Sequence, residues 1–117
     1  SMITIFFHRE VGEVTYVQKV KVPEGTTLME AAKFHSDPPI EEIPATCGGT
    51  CSCGTCHVYI GDMWLDKLGK IDYNTPEIDL LEYKKGYKPG VSRLACQIEL
   101  NKDHNGLIVM LRNDELL

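Results

Sequence analysis

The run CGGTCSCGTCHVYI, Cys47 to Ile60, holds four of the chain's five cysteines. Inside it, Cys53-Gly54-Thr55-Cys56-His57 spells C-x-x-C-H, the spacing of a c-type haem attachment. Haem would use Cys53 and Cys56 as thioethers and His57 as axial ligand. That leaves Cys47, Cys51 and Cys96 without a task. It also needs export to a haem-attaching compartment. No Lys/Arg-flanked apolar stretch opens the chain, so no secretory signal is expected.

Other chemistries meet their own obstacles. Structural zinc sites usually pair two short C-x2–4-C hooks. Cys53 and Cys56 make one hook, but Cys96 stands alone. A catalytic C-x-x-C dithiol wants the start of a helix, which lowers its thiol pKa. Here the cysteines lead into His57-Val58-Tyr59-Ile60, which reads as a strand. A Rieske centre needs two ligating histidines, and only His57 adjoins a cysteine. His8, His35 and His104 carry no such signal.

A 2Fe-2S cluster needs four thiolates and a chain that wraps it closely. Gly48, Gly49 and Gly54 lack a Cβ, so the backbone can approach and adopt positive φ. Successive N–H groups can then form an anion-binding nest. Thr50, Ser52 and Thr55 add small hydroxyls, and the distant Cys96 offers a further thiolate. Omitting Cys51 leaves C-x5-C-x2-C plus Cys96. Omitting Cys47 places two ligands, Cys51 and Cys53, in a tight bite. No three of these cysteines make the plant-type C-x4-C-x2-C.

Working outward, Ile3 to Phe7 reads as a strand and Val14 to Val22 as a second. In the second, Val14, Tyr16, Gln18, Val20 and Val22 share one face. His8 to Glu13, with Gly12, supplies the turn between them. Thr27-Leu28-Met29-Glu30 is a capping box, so a helix is expected from there to about His35. Pro38, Pro39 and Pro44 give an extended loop that delivers Cys47. Beyond the cysteines, Trp64 to Leu68 suits one or two helical turns. Glu77 to Lys84 suits a helix with Pro76 at its first position and Ile78 and Leu81 inward. Gly86 to Gly90 is a loop. Leu94 to Leu100 and Leu107 to Leu111 read as strands, separated by the turn residues Asn101, Asp103, Asn105 and Gly106. The order β-β-α-loop-β-α-β-β mixes strands and helices without a repeat, so the class is α+β. At 117 residues one domain, 1–117, is expected.

C-x5-C-x2-C-H with the distant Arg93-Leu94-Ala95-Cys96-Gln97 resembles the adrenodoxin and putidaredoxin type of 2Fe-2S ferredoxin. The resemblance covers nearly the whole chain, and the cysteine run is nearer the bacterial members. It implies a β-grasp mixed sheet with one main helix and an inserted cluster-binding loop. It implies that Cys47, Cys53, Cys56 and Cys96 hold one 2Fe-2S cluster. Cys47 and Cys53 would hold the outer iron, and Cys56 and Cys96 the inner one. Gly48, Gly49, Thr50, Ser52, Gly54, Thr55 and His57 would support the loop. The function implied is a one-electron carrier, not an enzyme. Its donor would be an NAD(P)H-dependent flavoprotein reductase, and its acceptor a haem-thiolate monooxygenase or the iron–sulfur assembly machinery. Transfer would be outer-sphere, through the thin loop over the outer iron. The location implied is intracellular, in a bacterial cytoplasm or a mitochondrial matrix. The reading from another class is a zinc-bound structural or interaction module. One departure is Arg112, where the family often places a proline that folds the tail back.

Charge narrows the partners. A net charge of −5 argues against nucleic acid, whose binding relies on Lys/Arg at phosphates. No apolar run is long enough to span a membrane. The stretch from Asp62 to Glu82 sets Asp62, Asp66, Asp72, Glu77, Asp79 and Glu82 against Lys67 and Lys70. Asp79 and Glu82 stand three apart, on one helix face. The resemblance makes that face the docking site for basic patches on the redox partners of a monomeric carrier. Four thiolates around a cluster would add about two negative charges when oxidised and about three when reduced.

Overall fold

The computed structural model describes residues 2–43, 57–61, 64, 76–84 and 86–111. Its opening apolar run forms β1 (Met2–Val11), hairpinned to β2 (Val14–Pro23). Both strands are longer than the sequence suggests, and the turn shrinks to Gly12 and Glu13. Gly12 has φ 64°, the positive value that twist-matched two-residue hairpin turns favour. Cross-strand pairing therefore reaches Val11 opposite Val14, and residues 8–10 stay in the ladder. The far end of the hairpin outruns the core. Val20 and Val22 are buried, whereas Val14 and Tyr16, on the same face by alternation, are exposed.

The remaining strands are β3 (His57–Ile60), β4 (Ser92–Leu94) and β5 (Leu107–Leu111). They complete a five-stranded sheet in the order β2-β1-β5-β3-β4. β5 runs parallel to β1, and every other neighbouring pair is antiparallel. This is the mixed α+β sheet implied by the resemblance. Alternation sets its buried face: Ile3, Ile5 and Phe7 on β1, Val58 and Ile60 on β3, Leu107 and Val109 on β5. Burying one such side chain contributes about 1.5–3 kcal/mol.

α1 (Leu28–Phe34) packs Leu28, Met29, Ala31 and Ala32 into that core. Its capping box forms as read: Glu30 N–H donates to Thr27 Oγ1 at 3.1 Å, and Thr27 N–H donates to Glu30 Oε1 at 3.0 Å. α2 (Pro76–Leu81) is shorter than expected at its C-terminal end. Glu82 N–H still reaches the Ile78 carbonyl, but Lys84 N–H reaches only Leu81. Ile78 and Leu81 are buried, as their spacing predicts.

One strand expectation is corrected. Leu94 to Leu100 is not a continuous strand: β4 ends at Leu94, and Ala95–Gln97 form a 3₁₀ turn. The reason is a change of partner. Residues 98–100 leave the sheet and bond to the entry of α1. Leu28 N–H donates to the Ile98 carbonyl at 2.9 Å, and Leu100 N–H to the Thr26 carbonyl at 2.9 Å. The chain must turn between the two sets of partners, and Cys96 stands at that turn.

Candidate metal centre

Cys96 is 8% exposed and belongs to no disulfide among the described residues. Gln97 Nε2 lies 3.5 Å from its sulfur and donates to it. A nearly enclosed sulfur with an amide donor beside it fits a cluster ligand, because hydrogen bonds to the sulfurs and exclusion of solvent are how a chain tunes such a centre. Cys47, Cys51, Cys53 and Cys56 lie outside the described residues, as do Gly48, Gly49, Thr50, Ser52, Gly54 and Thr55. The register nevertheless states where the cysteine run joins the sheet. β3 begins at His57, the residue after Cys56, and His57 pairs with Leu94, two residues before Cys96. The two cysteine-bearing parts of the sequence thus adjoin the same end of the β3–β4 ladder.

His57 is 3% exposed. Its Nε2 pairs with Ser92 Oγ at 2.7 Å, and its ring meets Tyr59 edge-on, with centroids 5.1 Å apart. Ser92 is wholly buried and also accepts the Lys88 N–H at 2.8 Å. The Tyr59 hydroxyl donates to the Gly86 carbonyl, and Lys88 Nζ lies 4.6 Å from the Tyr59 ring centroid. The loop 86–91 is thereby tied to the strand that starts at the cysteine run.

α2 is attached to the same place. Arg93 Nε donates to Glu77 Oε2 at 2.9 Å, and Leu94 N–H donates to the same oxygen at 2.8 Å. Arg93 Nη2 reaches Glu77 Oε1 at 3.4 Å. Arg93 and Glu77 are 9% and 7% exposed. Glu77 is therefore removed from the expected docking set: its carboxylate faces inward and is occupied by Arg93 and Leu94 of β4, the strand that leads into the turn holding Cys96. Asp79 and Glu82 are exposed, and Tyr83 beside them is 89% exposed. Asp62, Asp66 and Asp72 lie outside the described residues, as does Arg112.

Sequence reasoning missed Ser92 and the Arg93–Glu77 pair. Arg93 drew notice only as part of Arg-Leu-Ala-Cys-Gln, and sixteen residues separate it from Glu77. The available hint was Glu77 itself, an acid beside Pro76 in the first turn of a helix, whose other acids are spaced to face away.

A model of the 2Fe-2S iron–sulfur cluster binding domain matches residues 14–101. The 2Fe-2S ferredoxin CtmE of Castellaniella defragrans is 37% identical over 103 residues, covering 83% of this chain and 91% of its own. Putidaredoxin of Pseudomonas putida is 36% identical over 105 residues, covering 85% and 94%. Among solved structures, the covalent putidaredoxin reductase–putidaredoxin complex contains a chain similar to this one with a TM-score of 0.75. That chain has 31% identity, and the match covers 92% of this chain and 96% of that one.

Proposed function

This chain belongs to the family of 2Fe-2S iron–sulfur cluster binding domains and is an electron carrier of the putidaredoxin type with one 2Fe-2S cluster, and from that premise we propose that it accepts electrons from an NAD(P)H-dependent flavoprotein reductase. It delivers them to a haem-thiolate monooxygenase or to the iron–sulfur assembly machinery. It acts as a single domain spanning residues 1–117, as a monomer, and is not itself an enzyme. The observation that carries the reductase reading is the likeness to the chain solved in covalent complex with putidaredoxin reductase.

The cluster supplies one-electron redox chemistry when bound. Cys47, Cys53, Cys56 and Cys96 hold it in this proposal, and Cys51 does not. Cys96 fits the role by its burial and its Gln97 donor. His57 packs against β4 through Ser92, and Gly48, Gly49, Thr50, Ser52, Gly54 and Thr55 would support the cluster loop in this proposal. Asp79 and Glu82 dock the partner. Tyr83, one residue past Glu82, extends their face with a ring on which an arginine of the partner can stack. No described helix is long and apolar enough to cross a membrane.

The test is stopped-flow reduction of the holo-protein by NADH and putidaredoxin reductase, followed by loss of visible absorbance, at low and high salt. Fast reduction that slows as salt rises is expected. A cluster that stays oxidised at every salt concentration overturns the reductase assignment. Reoxidation of the reduced protein by a haem-thiolate monooxygenase or by assembly proteins then identifies the acceptor.

A further inference from the structure

The inward row of β1, Ile3, Ile5 and Phe7, continues to Arg9 by strand alternation, and on β2 the row Val22, Val20 continues to Gln18. Two polar residues thus occupy the end of an apolar row. Residues 38–43, which lead from α1 toward the cysteine run, pass over that end. Ile40 and Ile43 are buried, and Glu42 meets Arg9.

The contact is a planar fork. Arg9 Nε donates to Glu42 Oε2 and Nη2 to Oε1, each at 2.8 Å. Arg9 Nη1 donates to Gln18 Oε1 at 3.0 Å, and Gln18 Nε2 donates to the Pro38 carbonyl at 2.7 Å. One connected network therefore grips both ends of the 38–42 segment from both strands of the hairpin. Glu42 precedes Cys47 by five residues, with Pro44 between them.

We propose that Arg9, Glu42 and Gln18 form a clasp that positions the segment feeding Cys47, and so governs how fast the protein loses its cluster. These are positioning residues, and the inference rests on the reading that Cys47 is a ligand. A role in global stability fits poorly. The pair sits at the rim, its side chains 18% and 24% exposed, beyond the last buried apolar residue of either strand's inward row, so its loss should loosen the 38–43 segment before it unfolds the sheet. The bidentate geometry instead confers orientation, which a single point charge cannot reproduce. The Glu42 hydrogen bond also holds the Arg9 pKa above its ordinary value.

The experiment follows cluster loss from the holo-protein to a ferrous chelator under a reductant, by visible absorbance and released iron. Arg9→Ala and the near-isosteric Glu42→Gln should release iron about fivefold faster than wild type. Arg9→Lys should not restore the wild-type rate. Molar salt should accelerate wild type while leaving Arg9→Ala nearly unchanged. Hydrogen exchange should quicken at the Ile40 and Ile43 amides, with the Ile5 and Phe7 amides unaffected. Wild-type release rates in Arg9→Ala and Glu42→Gln, with Cys47→Ser unable to hold iron, overturn the clasp alone. Full iron and sulfide in Cys47→Ser overturns the ligand reading, and the clasp with it.

Discussion

Glu77 and Arg93 meet inside the protein, Nε to Oε2 at 2.9 Å, and the same carboxylate oxygen holds the Leu94 N–H. The pair joins the first turn of α2 to β4, three residues before Cys96. A helix whose outer side is exposed and acidic is thus fixed to the strand that leads into the turn holding Cys96, a cluster ligand in our proposal.

Removing one partner strands the other as a buried charge. Glu77→Ala or Arg93→Ala should destabilise the holo-protein by about 3–5 kcal/mol, measured by chemical unfolding followed by far-UV circular dichroism. Replacing both with apolar residues of similar volume should recover most of that loss. If Glu77→Ala unfolds at the wild-type denaturant concentration, the pair does not hold α2.

The proposed ligand set divides the cysteines four to one. Cys96→Ser and Cys53→Ser should purify with little iron or acid-labile sulfide. Cys51→Ser should keep the full complement and an unchanged visible spectrum. A colourless Cys51→Ser protein would sink the quartet. A colourless wild-type protein containing zinc would sink the ferredoxin reading altogether.

Asp79 and Glu82 are exposed where Glu77 is not. Asp79→Asn and Glu82→Gln should slow reduction by the reductase several-fold at low salt and flatten its salt dependence, with the visible spectrum unchanged. Tyr83→Ala should weaken binding about fivefold, because an exposed ring at such a face acts as an interface anchor. Unaltered kinetics in the Asp79→Asn/Glu82→Gln double variant would place docking elsewhere.

The α1 cap has a pH signature. Glu30 accepts the Thr27 N–H and is held below the ordinary carboxylate pKa by that bond first and by the Thr27 side chain second. A depressed folded pKa stabilises the protein above the ordinary value of about 4.3, and the contribution is lost as pH falls through the folded value. Carboxyl NMR should find Glu30 titrating below that ordinary value, and Thr27→Ala should raise its pKa while costing about 1 kcal/mol. An unshifted Glu30 in the wild type would show that the box does not form in solution.

Local chemistry was legible wherever neighbours in sequence are neighbours in space. The capping box, Pro76 opening a helix, the inward Ile78 and Leu81 and the short strand after Cys56 all rest on contacts within a few residues. The cysteine spacing with its glycines pointed to an iron–sulfur cluster because ligand bite and backbone approach are local requirements too. Tertiary structure alone decided which acid turns inward, since Glu77 finds its partner across sixteen residues on another element. It also ended β4 at Leu94, because residues 98–100 satisfy their backbone groups on the entry of α1 rather than on the sheet. Arg9 and Glu42 belong to the same category. Nothing in either one's local sequence marks the other, and only the path of residues 38–43 over the end of the hairpin brings the fork together.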